Sequence, residues 1–100
     1  MSKAKAQKGH FKRRVFERYG LSLNDGEYDY IVSLIRKNNK QLVKFIMKQT
    51  NRISVHLVTF KEAELVVVYD KLRSSLCTCL PIDCKSAENI HSYIEEVEEL

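Results

Sequence analysis

Glycine and proline are scarce in this chain, with three glycines and one proline among 100 residues. No glycine-rich segment is present, which excludes the phosphate-binding loops of nucleotide hydrolases and of dinucleotide-binding enzymes. The serine-nucleophile and zinc-protease motifs are also missing from the sequence. The chain has neither an internal repeat nor a low-complexity linker, so a single domain with a small core is predicted over residues 1–100.

Long apolar runs are missing as well. No stretch approaches the roughly 18–20 apolar residues of a membrane span, and the first ten residues, MSKAKAQKGH, lack the apolar centre of a signal peptide. The three cysteines, an odd number, fit free thiols in a reducing compartment better than a disulfide framework. We therefore expect a cytoplasmic protein without a membrane partner.

Acidic residues are nearly absent from the first 18 positions, where seven Lys or Arg accompany Glu17 alone. Residues 1–50 hold 12 basic and 4 acidic side chains, a net charge of +8, whereas residues 51–100 hold 5 and 9, a net charge of −4. This division favours a polyanionic partner for the N-terminal half, because each phosphate that Lys or Arg neutralises releases bound counterions.

Much of the positive charge lies in the segment 9–20, GHFKRRVFERYG, which is predicted to be an amphipathic helix. Its apolar residues recur at helical spacing, and Gly20 supplies the left-handed residue that commonly ends a helix. The other side offers one histidine and three arginines, His10, Arg13, Arg14 and Arg18. Residues 1–8 are polar and are expected to be flexible.

A second helix is predicted from Asn24 to about Lys37, because Asn24 and Glu27 form a capping box. From Leu42 onward apolar residues alternate with period two, in four strands over 43–48, 53–60, 64–70 and 75–80. The short connections allow hairpins only. The predicted fold is α+β, with two N-terminal helices packed on a four-stranded antiparallel meander and a C-terminal helix over 86–100.

Simple alternation also assigns side chains to faces of the sheet. Thr78 lies between Cys77 and Cys79, so it is expected on the open face if both thiols are in the core. His56 shares a face with Ser54 and Val58 and is a candidate acid or base. On the strand before it, Lys44 and Lys48 can add cations to that face.

A zinc site is a competing interpretation of the C-terminal cysteines. Four possible ligands lie within fifteen residues, namely Cys77, Cys79, Cys84 and His91. A C-x-C pair on a strand lacks the tight turn of the usual C-x-x-C site, and its two Cα atoms are about 6.6 Å apart. We therefore expect free thiols, with neither a metal nor a cofactor.

Several segments, taken in order, resemble the RelE-like and barnase/EndoU/colicin-like (BECR) superfamily of small bacterial and phage-type ribonucleases. These segments are His10 with Arg14 and Arg18, LSLNDGEY at 21–28, TNR at 50–52, VVVYD at 66–70 and LCTCLP at 76–81. The resemblance implies an RNA-binding, toxin-like endoribonuclease that needs no metal and uses the 2′-hydroxyl of RNA as its nucleophile. It also implies the ribosome or a host protein as partner, and a cognate inhibitor.

Such chemistry needs groups that move protons and cations that stabilise the charge on the phosphoryl oxygens. On the resemblance, the predicted catalytic residues are His10, Tyr69 and Thr78. The predicted substrate-binding residues are Arg13, Arg14, Arg18, Lys48, Arg52 and His56. Asp70 is interpreted as a turn residue.

The sequence departs from the superfamily in one respect, since no strand offers a clear glutamate as the partner base. One alternative is therefore a non-catalytic, phage-type protein that binds and inhibits a host factor. Another is a DNA-binding accessory protein that uses the basic helix, although the acidic start of the second helix, Asp25 to Asp29, opposes contact with phosphates. A further hypothesis is that the acidic tail, Glu95 to Glu99, covers the basic helix and inhibits binding.

Overall fold

The computed structural model describes residues 3–85 and 87–90. Two helices precede four strands, and two short helical segments follow: α1 (Lys3–Tyr19), α2 (Asp25–Arg36), β1 (Val43–Lys48), β2 (Ile53–Phe60), β3 (Ala63–Asp70), β4 (Ser75–Leu80), a 3₁₀ helix (Ile82–Lys85) and α3 (Ala87–Ile90). The strands form one antiparallel sheet in the order β1-β2-β3-β4, which confirms the α+β fold and the predicted meander. Within the described ranges, no helix is long and apolar enough to cross a membrane.

The helix boundaries follow the local signals in the sequence. The side chain of Asn24 accepts a hydrogen bond from the backbone of Glu27, and the Glu27 carboxylate accepts one from the backbone of Asn24, which completes the capping box. Helix α1 ends before Gly20, whose φ of 70° lies in the left-handed region that glycine adopts without strain.

Helix α1 begins at Lys3, seven residues earlier than His10, so residues 3–8 belong to the helix and not to a flexible end. Gln7 explains the difference. Its side chain is 2% exposed and accepts a hydrogen bond from the hydroxyl of Ser75 at 2.5 Å, which ties the first turns of α1 to β4. Sequence periodicity does not register such a polar anchor.

The sheet has an apolar cluster on each face. On one face, here called the helix side, α1 and α2 bury Phe11, Val15 and Ile31 against Leu65 and Val67 of β3. On the opposite face, the second cluster joins β2, β3 and β4 to the 3₁₀ helix and α3 through Val55, Val66, Val68, Cys77, Leu80, Cys84 and Ile90. The interior strand β3 is buried on both faces, from Leu65 to Asp70.

Two β-bulges change which face several side chains occupy. In β4 the register shifts at Cys77, so Cys79 joins the helix-side cluster and Cys77 joins the second one. The sequence-based assignment of both cysteines to one face is therefore wrong. So is the open position of Thr78, which is fully buried opposite Val68.

The bulge in β1, between Phe45 and Met47, has a similar effect. It places Lys48 opposite Ser54 on the helix side, whereas Lys44 lies opposite Leu57 on the other face. Of the two lysines expected beside His56, the bulge therefore leaves only Lys48 on that face.

The predicted C-terminal helix is described over one turn, Ala87–Ile90, where Ile90 is buried in the second cluster. The remainder of the prediction, residues 91–100, lies outside the described residues, as do His91 and the acidic segment from Glu95 to Glu99.

Candidate nucleic-acid interface

A cavity of about 540 Å³ opens on the helix side of the sheet, beside the end of α2. This cavity is here called the strand cavity, and it is lined by Ile35, Arg36, Phe45, Lys48, Thr50, Asn51, Arg52, Ile53, Ser54, His56, Tyr69, Lys71 and Ser74. Four of these side chains are cationic and none carries a carboxylate. Because the concave wall gathers like charges, the cavity favours an anion.

Three rings form the apolar part of the wall, one from each of β1, β2 and β3. The ring of His56 stands edge-on to Phe45 at 5.6 Å and to Tyr69 at 6.4 Å between centroids. Phe45 is 56% exposed, whereas Tyr69 is buried. An exposed aromatic ring beside cations is a surface on which a nucleobase can stack.

His56 is held as a neutral imidazole. Burial lowers its pKa, and its Nε2 lies 2.8 Å from the hydroxyl of Ser54. Its Nδ1 is buried and has no hydrogen-bond partner among the described residues. A neutral imidazole can accept a proton near pH 7, which is the property that a general base requires.

Behind the cavity, the carboxylate of Asp70 is fully buried and binds two arginines. Arg52 approaches it with two nitrogens, Nε at 3.1 Å and Nη2 at 2.9 Å, and Nη1 of Arg73 lies at 2.9 Å. Gln7 adds a longer contact at 3.4 Å. Since a bidentate pair fixes the guanidinium plane, Asp70 orients Arg52 toward the strand cavity and is more than the turn residue that the sequence indicated.

A second cavity, of about 520 Å³, lies between the first half of α1, the start of α2 and the β3–β4 turn. This cavity is here called the helix cavity, and it is lined by Lys5, Lys8, Gly9, Lys12, Asp25, Tyr28, Arg73, Ser74 and Ser75. Four cations again outnumber the carboxylates, of which Asp25 is the one in the lining. Lys8 and Lys12 both pair with Asp25, and Lys8 also lies 5.1 Å above the ring of Tyr28.

The basic side chains of α1 are divided among different surroundings. Arg18 donates to the backbone carbonyl of Cys79 at 2.8 Å, and Arg14 pairs with Glu17 at 3.1 Å. Arg13 is exposed, and neither His10 nor Arg13 lines the two cavities described above. Of the nine predicted site residues, the strand cavity gathers four, namely Lys48, Arg52, His56 and Tyr69.

The predicted catalytic group therefore does not come together. Tyr69 lines the strand cavity, but Thr78 is buried inside β4 and His10 belongs to α1. Thr78 is buried because it lies opposite Val68, on the face of the sheet that the 3₁₀ helix and α3 cover.

The acidic side chains at the start of α2 form ion pairs with lysines of other parts of the fold. The hydrogen bond and charge of Lys12 lower the pKa of Asp25, and a hydrogen bond from Lys61 lowers that of Glu27. Both carboxylates are therefore ionised at neutral pH, and their lysine partners compensate the negative charge. This arrangement does not favour α2 as a DNA-recognition helix.

Cys77, Cys79 and Cys84 are buried and are present as thiols, not as disulfides. Within the part of the chain that the structure describes, no group of three His, Cys, Asp or Glu side chains is placed to hold a metal ion. The fourth ligand of the zinc alternative, His91, is not among the described residues.

Sequence reasoning missed Arg36, Phe45, Lys71 and Ser74 in the strand cavity. In the sequence, Phe45 is one apolar position of an alternating strand, and the other three belong to the end of a helix or to a turn. Their common position depends on the pairing of β1 with β2 and on the placement of α2, which no local pattern contains.

Comparisons of the chain with known protein families, with curated proteins and with solved structures found no match.

Proposed function

We propose that this protein binds single-stranded RNA in the strand cavity. The observation that carries the proposal is that the described residues lining this cavity include four cations and no carboxylate, together with the exposed ring of Phe45. The cations neutralise phosphates, and the ring stacks a base, which is worth about 1–3 kcal/mol per base.

Polar uncharged groups of the same wall support RNA over DNA. Asn51, Ser54 and Ser74 offer donors and acceptors that a 2′-hydroxyl can use, and the 2′-hydroxyl is the group that distinguishes RNA from DNA. The resemblance of the sequence to small ribonucleases supports the same ligand.

Fluorescence anisotropy of a labelled oligouridine tests the proposal. We expect Phe45→Ala to weaken binding about 5-fold or more, because it removes a stacking surface worth at least about 1 kcal/mol. Lys48→Ala should also weaken binding and reduce the slope of log K against log salt by about 0.7, the contribution of one phosphate contact on a single strand. Lys85→Ala, an exposed lysine of the 3₁₀ helix, is the matched control.

Three outcomes would overturn this function. The first is wild-type protein that does not bind at low salt, and the second is binding that both variants leave unchanged. The third is equal affinity for the DNA strand of matching sequence, which would indicate a general single-strand binder. Binding of a protein partner without salt dependence would favour the alternative of an inhibitor of a host factor.

Cleavage of the bound RNA is a second candidate, favoured by the neutral imidazole of His56 beside Ser54 and Tyr69. In this proposal the 2′-hydroxyl of the RNA takes the position that the Ser54 hydroxyl occupies beside Nε2 of His56. The 2′-hydroxyl then gives its proton to Nε2, and the 2′-oxygen attacks phosphorus. The bond from phosphorus to the 5′-oxygen breaks, and Tyr69 protonates that oxygen. Lys48 and Arg52 stabilise the phosphoryl oxygens.

The expected products are a 2′,3′-cyclic phosphate and a 5′-hydroxyl, formed in the presence of a metal chelator. His56→Ala should slow the reaction about 10²- to 10⁴-fold, the usual contribution of general acid–base catalysis, whereas Lys85→Ala should not. RNA that stays intact with bound wild-type protein from pH 5 to pH 9 would exclude cleavage and leave the binding function standing.

A further inference from the structure

The strand cavity and the helix cavity meet at the β3–β4 turn, residues 71–74. Ser74 lines both cavities, while Lys71 lines the first and Arg73 the second. The backbone N–H of Lys71 donates to the carbonyl of Arg52 at 2.8 Å, which anchors the turn to the start of β2. The two basic surfaces are therefore separated by one short, anchored segment.

A single carboxylate connects the cationic walls of the two cavities. Oδ2 of Asp70 lies 2.9 Å from Nη2 of Arg52, in the strand cavity, and 2.9 Å from Nη1 of Arg73, in the helix cavity. Asp70 is fully buried and both arginines are partly exposed. The shared carboxylate therefore holds the guanidinium groups of Arg52 and Arg73 at a fixed separation, one on each side of the turn.

The charge of the helix cavity also exceeds what its own carboxylate balances. Among the described residues, Lys8 and Lys12 share the single carboxylate of Asp25, and Arg73 shares Asp70 with Arg52. Both cavities thus favour the same kind of ligand.

We propose that the two cavities form one continuous track for a single RNA strand, which crosses the turn at Ser74. This inference rests on the proposed function and specifies its ligand, a strand that is long enough to occupy both cavities. The molecule measures 32 Å along its longest axis. At about 3.4 Å per stacked nucleotide, a strand of about 10 nucleotides matches that length, whereas one of about 4 covers less than half of it.

The experiment measures the affinity of oligouridines of about 4 and about 10 nucleotides for wild type and for the double variant Lys8→Ala/Lys12→Ala. Both lysines lie in the helix cavity, and their partner Asp25 is exposed, so the fold does not depend on them. The charge-matched control is Lys40→Ala/Lys85→Ala, two exposed lysines outside both cavities.

We expect the longer strand to bind wild type at least 10-fold more tightly than the shorter one, with one strand per chain. The double variant should lose most of that gain while its affinity for the short strand changes less than 2-fold, and the control should keep the gain. Equal affinities of wild type for both lengths, or an equal loss on both lengths in the double variant, would overturn the track while the proposed function stands. If neither length binds, the proposed function itself fails.

Discussion

At the scale of single residues, Asp70 and His56 show how burial gives a side chain contacts and a protonation state that its position in the sequence does not indicate. Asp70 closes a strand in the sequence, but in the fold it is fully buried and holds Arg52 and Arg73. His56 lies on a face that alternation treats as polar, although Val58 of the same face is fully buried under the helices. Partial burial in this setting is what keeps the imidazole neutral.

The lowered pKa of His56 predicts how stability depends on pH. The unfolded chain takes up the proton near pH 6.5, whereas the folded chain does so only at lower pH. Stability is therefore complete above about pH 6.5 and falls as the pH drops toward the folded pKa. His56→Gln should remove this part of the loss.

Urea denaturation of wild type and His56→Gln at pH 7 and pH 5 measures the effect, because the contributions of all other groups cancel in the difference between the two proteins. The wild type should lose more free energy of unfolding than the variant between the two pH values. Equal losses would contradict the assignment of a depressed pKa.

At the scale of elements, capping and strand periodicity were sufficient for α2, for the C-terminal end of α1 and for the meander. The capping box of Asn24 and Glu27 and the end of α1 at Gly20 are confirmed, because both depend on residues within one turn of each other. The bulges in β1 and β4 were not predicted. A bulge depends on the pairing of two strands, and it reverses the face of every later side chain.

The β2–β3 turn contains an unfavourable pair of residues. Lys61 and Glu62 have φ values of 49° and 64°, in the left-handed region where a side chain costs about 1 kcal/mol. Two-residue hairpin turns of this kind prefer glycine at the second position. Glu62→Gly should therefore raise the free energy of unfolding by about 0.5–1 kcal/mol.

Thermal unfolding followed by circular dichroism should show an increase in Tm of roughly 3–6 °C for Glu62→Gly. Glu64→Gly is the control, since Glu64 is exposed within β3, where glycine weakens a strand and should lower the Tm. A decrease for both variants would mean that the turn is not strained.

At the scale of the whole molecule, the charge of the two halves of the chain does not map onto two halves of the structure. The cations of the strand cavity come from both, Arg36 and Lys48 from the first half and Arg52 and Lys71 from the second. The basic helix contributes to the helix cavity through Lys5, Lys8 and Lys12. The clustering of cations around the two cavities is therefore a property of the assembled fold.

Two arginines on helices test this conclusion. Arg36→Ala, at the end of α2 in the strand cavity, should weaken RNA binding about 3- to 10-fold at low salt, because it removes a phosphate contact. Arg13→Ala, exposed on α1 outside both cavities, should change the affinity less than 2-fold. Titrations of both variants with the same oligouridine provide the comparison. A larger loss of affinity for Arg13→Ala than for Arg36→Ala would indicate that the RNA binds the face of α1 instead.

The sequence by itself determined α2 with its capping box, the end of α1 at Gly20, the four strands and the excess of basic residues, since these depend on neighbours within a few positions. The tertiary structure alone decided which polar residues share a surface. It buried Thr78, engaged Arg18 with the carbonyl of Cys79, and gathered Lys48, Arg52 and His56 around Phe45. The physical reason is that strand pairing, two bulges and the placement of α2 bring together residues far apart in the chain, and no local periodicity encodes those contacts.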